Sequence, residues 1–410
     1  MKTVYSTIVA ILLFLTGIAS YSQEVTRSRQ VPGFRPYDVD LAVMSKAEKD
    51  SIRMVADIWK MYVESFTSST MSEERRRSMW MDGAPDYLLE FDDGALLYSS
   101  FRENRIIDVR KMAHGVYELV CMTSSKLPGE EHEGWVEAVY RVCAMAVAKD
   151  LDDGSRNNPF RLGNWLDAIT SGLKKQTFGI IDYYRVPGCR IPAKDYSGMG
   201  AFASNLINEY GITFDSRIRY VVAPNMDQCE QISGFLFNAY SNPMQGTVAS
   251  KSSGYGFYGR TFGSNTLVSN YYDDCHDVAL LIVRKGFPDA LPMMQEGLAS
   301  YYGGLMTYSY SDLKASLRSM FASGKEIDLS NEDSFYDTCI PVSVEGSPGP
   351  VVVPLETILG ALLVDYSIKK GGVKLVKELL RCEDYLELFD KLGVKPDGID
   401  GFIVRILGNE

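Results

Sequence analysis

Two neighbouring stretches decide how this chain is read: YYDDCHDVALLIVRKGF, residues 271–287, and LPMMQEGLASYYGG, residues 291–304. In the first, His276 is followed at once by Asp277 and then by six apolar residues, 278–283. A helix apolar over that much of its surface is buried on several sides. A histidine and an aspartate inside it need partners or a purpose. In the second stretch Pro292 opens a helix and Glu296 lies one turn in. Gly297 and Ala299 are small enough to let a neighbouring helix come close. The turn Gly286-Phe287-Pro288 joins the two into an αα-hairpin, an arrangement that places Glu296 opposite His276.

The pair of phrases resembles the gluzincin metallopeptidases, in particular their peptidase-MA-like branch. That family carries His-Glu-x-x-His on one helix, so that both histidines share a face, with a zinc-ligating Glu on a following helix. The second phrase matches well: Pro292, then Glu296-Gly297-Leu298-Ala299-Ser300-Tyr301, ending in Gly303-Gly304. The resemblance places His276 at the first ligand and Glu296 at the third. Asp277 stands at the general-base position, and Leu280 replaces the second histidine. Leu280 has no lone pair to give, and Asp277 is one methylene shorter than Glu. One imidazole and one carboxylate fall short of the three protein ligands a catalytic zinc site uses. The resemblance therefore implies a degenerate scaffold with no cofactor. The alternative is an active zinc hydrolase with an atypical ligand set, drawing a further donor from Asp273, Asp274, Cys275, Asp277 or, from elsewhere in the chain, His132. Taken singly, His276 reads as a core histidine and Glu296 as an ordinary first-turn acid favoured by the helix dipole.

Outward from these helices, the layout is strands first and helices afterwards, which indicates α+β rather than a wound parallel sheet. After a leader at 1–22 and a lead-in at 23–44, residues 45–162 read as a helix followed by strands at 87–91, 95–101, 105–110, 116–122 and 135–151. This helix-plus-curved-sheet order resembles the cone-like nuclear-transport-factor-like domains. Residues 163–304 read as a zincin-like mixed-sheet lobe with the two site helices. The expected strands are 177–186, 217–223 and 266–269, and the expected helices 195–210 and 225–237. Residues 305–410 read as an all-helical lobe, with helices at 311–321, 354–370, 372–380, 385–392 and 400–407. The glycine-rich segment 246–263 carries Tyr255, Phe257 and Tyr258, which together with Tyr301 are the expected lining of a binding cleft.

Composition bounds the rest. The chain has 410 residues, 46% hydrophobic, with a formal charge of −11, enough apolar content for a core and the wrong sign for a nucleic-acid or anionic-membrane partner. Met1-Lys2, an apolar run from Ile8 to Ile18 and Ser20-Tyr21-Ser22 read as a secretory signal cut after Ser22, giving a secreted or periplasmic protein with no membrane insertion after cleavage. The seven cysteines form no CxxC pair. Cys121 and Cys143 are either a cross-strand disulfide or buried thiols. Nucleotide cradles and the Gly-x-Ser-x-Gly elbow are absent from the sequence. The sequence thus supports an exported gluzincin-like scaffold, catalytically inactive, that binds a peptide or protein or serves as a structural module.

Overall fold

A computed structural model describes residues 46–67, 72–81, 101–113, 115–126, 135–146, 158–189, 193–233, 235–238, 247–248, 257–262, 265–271, 274–305, 308–323, 338–342 and 351–408. The leader, the lead-in, the strand at 87–91 and most of that at 95–101 lie outside the described residues. The protein is α+β. Its contacts divide it into two units, Met1–Gly172 with Glu230–Ser241, and Leu173–Cys229 with Asn242–Glu410. This division falls ten residues past the 162/163 boundary expected from sequence.

In the first unit, helix α1 (Lys46–Thr67) buries Val55, Ile58, Trp59, Tyr62 and Val63, the one-sided spacing its sequence shows. Ser72 caps the short helix α2 (Glu73–Arg77) by accepting from Arg75 N. Strands β1 (Phe101–Ala113), β2 (Val116–Lys126), β3 (Trp135–Ala146) and β4 (Phe160–Gly163) form an antiparallel meander, and α3 (Trp165–Thr170) follows it. Trp59, Tyr62 and Trp80 make a ring cluster with centroids 5.6 and 5.3 Å apart, tying α1 to the bridge between Trp80 and Leu162. Of the two readings left open for Cys121 and Cys143, the structure has the buried thiols. The register sets Cys143 opposite Glu118 and Cys121 opposite Tyr140. Residues 118 and 121 differ by an odd number, so the two thiols leave β2 and β3 on opposite faces of the sheet. Burial raises both thiol pKa values, that of Cys143 to about 12, so both stay protonated.

In the second unit, the expected single strand at 177–186 is a hairpin, β5 (Lys174–Phe178) and β6 (Ile181–Arg185). Gly179, at φ 54°, takes the left-handed conformation that turns the chain inside the apolar run. Helix α4 (Ala193–Tyr210) leads to β7 (Ile218–Val222) and α5 (Met226–Ser233). The helix expected through 237 stops there. Phe235–Asn238 is strand β8, which belongs to the first unit and pairs there antiparallel with β3. A short apolar run has no period of its own to choose helix or strand, and cross-strand pairing decides it. Strands β9 (Thr247–Val248), β10 (Phe257–Phe262) and β11 (Thr266–Ser269) complete a mixed sheet of order β5-β6-β7-β11-β10-β9, parallel only at β6-β7 and β7-β11. One face, carrying Ile181, Tyr183, Ile218, Tyr220 and Leu267, shares a core with α4 and with α6 (Cys275–Gly286).

Helices α7 (Pro292–Gly303) and α8 (Tyr310–Ala322) follow. The lobe beyond 305 is not all helical. Its β-branched runs form a hairpin, β12 (Cys339–Val342) and β13 (Val351–Pro354), before α9 (Leu355–Leu379), α10 (Tyr385–Lys391) and α11 (Ile399–Gly408). Helix α9 has a break at Gly372, where the sequence sets two helices apart.

The tightest packing is between α7 and α9. A Cβ on Gly297 would lie 2.2 Å from the Gly360 carbonyl carbon, and one on Gly360 would lie 2.0 Å from the Met293 carbonyl oxygen. These are backbone atoms, so nothing flexible can yield. Gly297→Ala and Gly360→Ala should each cost about 1–3 kcal/mol or more, as overpacking does. Gly401→Ala in α11 meets nothing within 4 Å and should gain roughly 0.5–1 kcal/mol. Urea midpoints check this, and an unmoved midpoint for Gly297→Ala contradicts the crossing.

Candidate functional site

Helix α6 begins at a fixed point. Asp274 is its N-cap, accepting from Asp277 N at 3.1 Å. The second carboxylate oxygen accepts from Ser269 Oγ at 3.2 Å, at the end of β11. The Tyr220 hydroxyl, from β7, accepts from Asp274 N at 3.2 Å and donates to the Tyr271 carbonyl. The sheet thereby sets where the helix starts and how it is rotated. At the same end, a Cβ on Gly303 would meet His276 N at 2.5 Å, so the last turn of α7 lies against the first turn of α6. Only a glycine allows that approach.

His276 is buried, at 5% exposure, and lies between two carboxylates. Its Nδ1 donates to Asp277 Oδ1 at 3.2 Å. Its Nε2 faces Glu296 Oε2 at 3.4 Å, an ion-pair distance without hydrogen-bond alignment. Burial alone would drive the imidazole towards its neutral form. The bonds and charges of Asp277 and Glu296 outweigh this and raise its pKa from 6.5 to about 10. The other oxygen of Glu296 accepts from Arg284 Nη2 at 3.3 Å.

Residues 276, 280 and 284 form one stripe of α6, each a turn apart. The Glu296 carboxylate spans that stripe, touching the imidazole at one end and the guanidinium at the other. Leu280 lies between them and is buried at 5% exposure. The hairpin expected from sequence is present, and His276 and Glu296 meet across it. Arg284 was not among the residues singled out from sequence. Its signal was available: a basic residue two turns beyond His276 on the same stripe, at the helix end that favours cations.

The donor set can be tested against zinc. Ligands at about 2.0–2.1 Å on a tetrahedral centre sit roughly 3.3–3.4 Å apart. The 3.4 Å between Nε2 and Oε2 fits one such edge. The remaining corners do not. Leu280 offers no donor, and Arg284 presents a positive charge to the second Glu296 oxygen. Of the further donors considered, Asp274 is committed to the cap, and Cys275 Sγ lies 3.8 Å from Met199 Sδ. Asp273 and His132 lie outside the described residues. No group of three or more His, Cys, Asp or Glu side chains suited to a metal occurs among the described residues. Among the described residues, the donors at this site do not make up a catalytic zinc set.

The expected cleft residues fall in different places. Tyr255 lies outside the described residues, while Phe257 and Tyr258 open β10 and pair with Val248 and Thr247 of β9. Tyr301 is five residues beyond Glu296, about 140° round the helix. Its ring packs against Tyr302 and Tyr310, with centroids 5.0 and 5.2 Å away. It belongs to a different surface from the His276 cluster.

Comparison with known proteins finds no family model, no curated protein and no solved structure that matches the chain.

The charge cluster makes a pH prediction. A folded pKa of about 10 against a reference of 6.5 means that the ionised His276 stabilises the fold fully below pH 6.5. That contribution is lost as pH rises through about 10. The His276 ring carbons, followed by NMR, should report a cation across the neutral range. Glu296→Gln should lower the pKa and flatten the alkaline loss of stability. A wild-type ring that titrates near 6.5 would contradict the cluster.

Proposed function

We propose that this is an exported protein built on a gluzincin-like scaffold that has lost its metal chemistry and acts by binding a peptide or protein. One observation carries the reading. The glutamate that would ligate zinc is shared between His276 and Arg284 across a buried leucine. The cluster balances two cations against two anions without a metal. Asp277, at the position of the general base, is tied to the adjacent imidazole and holds no reach towards a bound water. Export rests on the apolar leader and its small residues before Gln23. No helix among the described residues is long and apolar enough to cross a membrane.

Two measurements test this. Purified protein dialysed against a weak chelator should retain no stoichiometric zinc. A peptidase assay with added zinc should show no metal-dependent cleavage, in the wild type or in Glu296→Ala. Cleavage that needs zinc and disappears in Glu296→Ala would overturn the inactive reading and favour the enzyme. The scaffold is tested by a gain of function. Leu280→His restores the missing imidazole on the right face, and Arg284→Ala frees the second oxygen of Glu296. The double variant should bind one zinc per chain, and failure of the folded variant to bind would count against the gluzincin likeness.

A further inference from the structure

Near the far end of α7 lies a second polar cluster that the His276 reading does not use. Asp365 of α9 is buried, its side chain 8% exposed. Its Oδ2 takes three donors at once: the Tyr310 hydroxyl at 2.9 Å, Lys369 Nζ at 3.0 Å and Lys314 Nζ at 3.5 Å. Two ammonium groups therefore share the Asp365 carboxylate, while the other acid near Tyr301, Glu209, accepts from the Tyr302 hydroxyl at 2.7 Å. Lys314 is held in, its side chain 14% exposed, so water reaches few of its donors. Lys369 is 64% exposed, so beside its bond to Asp365 its ammonium keeps donors open to water. Tyr301 lies in the same neighbourhood, within electrostatic reach of Asp365, Lys369 and Glu209, and its hydroxyl makes no hydrogen bond among the described residues. Its ring is fixed against Tyr310.

An ion triad of this composition is not a closed structural pair. A lysine that merely tied α8 to α9 would need one carboxylate, and Lys314 alone supplies that tie. The second ammonium and the idle phenol are donors in excess. We propose that Tyr301, Lys314 and Lys369 form a recognition site for an oxyanion group, a carboxylate or a phosphate. Asp365 and Tyr310 hold the two inner donors in place. The ligand's oxygens would accept from Lys369 and Tyr301, a charge-assisted contact of the kind that fixes anionic groups. This site stands on other residues than the His276 cluster and holds whether or not that cluster is catalytic.

The test uses the full secreted chain and three probes: inorganic phosphate, an N-acetylated tripeptide with a free C-terminal carboxylate, and the same peptide as its C-terminal amide. Binding is read by calorimetry at low and high salt. The expected result is saturable binding of the acid peptide or of phosphate, at least tenfold weaker binding of the amide, and weakening with salt. Acid peptide without phosphate identifies a chain terminus as the source, and phosphate without acid peptide identifies a phosphorylated or free phosphate ligand. Lys369→Met and Tyr301→Phe should each weaken binding several-fold while leaving the urea midpoint near wild type, since neither closes the core. Absence of binding for both anions overturns the proposal, as does binding that both variants leave unchanged.

Discussion

The second unit is organised by backbone contact around α7. Gly297 lets α9 come against it, and Gly303 lets the start of α6 come against it. Helices at that spacing cannot rotate or slide without a backbone clash, since ridges and grooves of side chains are absent at the crossing. The rotation of α7 in turn decides which way Glu296 points. The network of Asp274, Ser269 and Tyr220 fixes α6 on the sheet in the same manner. The encounter of His276 with Glu296 is thus a consequence of two rigid placements, made before either side chain contributes any attraction of its own.

Within that frame the site is solved electrostatically. A half-buried carboxylate on an apolar stripe needs a positive charge, because desolvation without compensation is costly. Here the charge comes from an imidazolium and a guanidinium at its two oxygens. Asp277 then stabilises the imidazolium from its other nitrogen. Every ionised group has a partner of opposite sign, so the cluster contributes specificity of position to the hairpin.

Much of this was legible in the sequence because it depended on local pattern. The apolar run after Asp277, Pro292 at a helix start and the small residues beside Glu296 announced two packed helices and their approach. Helix spacing placed Leu280 one turn beyond His276, on the face that meets Glu296. What escaped was set by tertiary pairing. The run TFGIIDYYR reads as one strand until the Gly179 turn is given its left-handed φ. Phe235 to Asn238 becomes a strand only because β3 offers an edge. The choice between a bond and buried thiols at Cys121 and Cys143 was left open because it depends on register, which composition does not encode. Tyr301 was grouped with the site by nearness in sequence, and the helix carried it about 140° away.

Arg284 completes the electrostatics of the site. His276 and Leu280 alone would leave one oxygen of Glu296 unpaired at the edge of an apolar stripe. A guanidinium one turn further along the same face reaches that oxygen and supplies the second positive charge. An arriving cation must therefore displace a paired charge as well as find donors. Leu280 and Arg284 act together in physical terms: the first presents no donor, and the second occupies the carboxylate oxygen that His276 leaves.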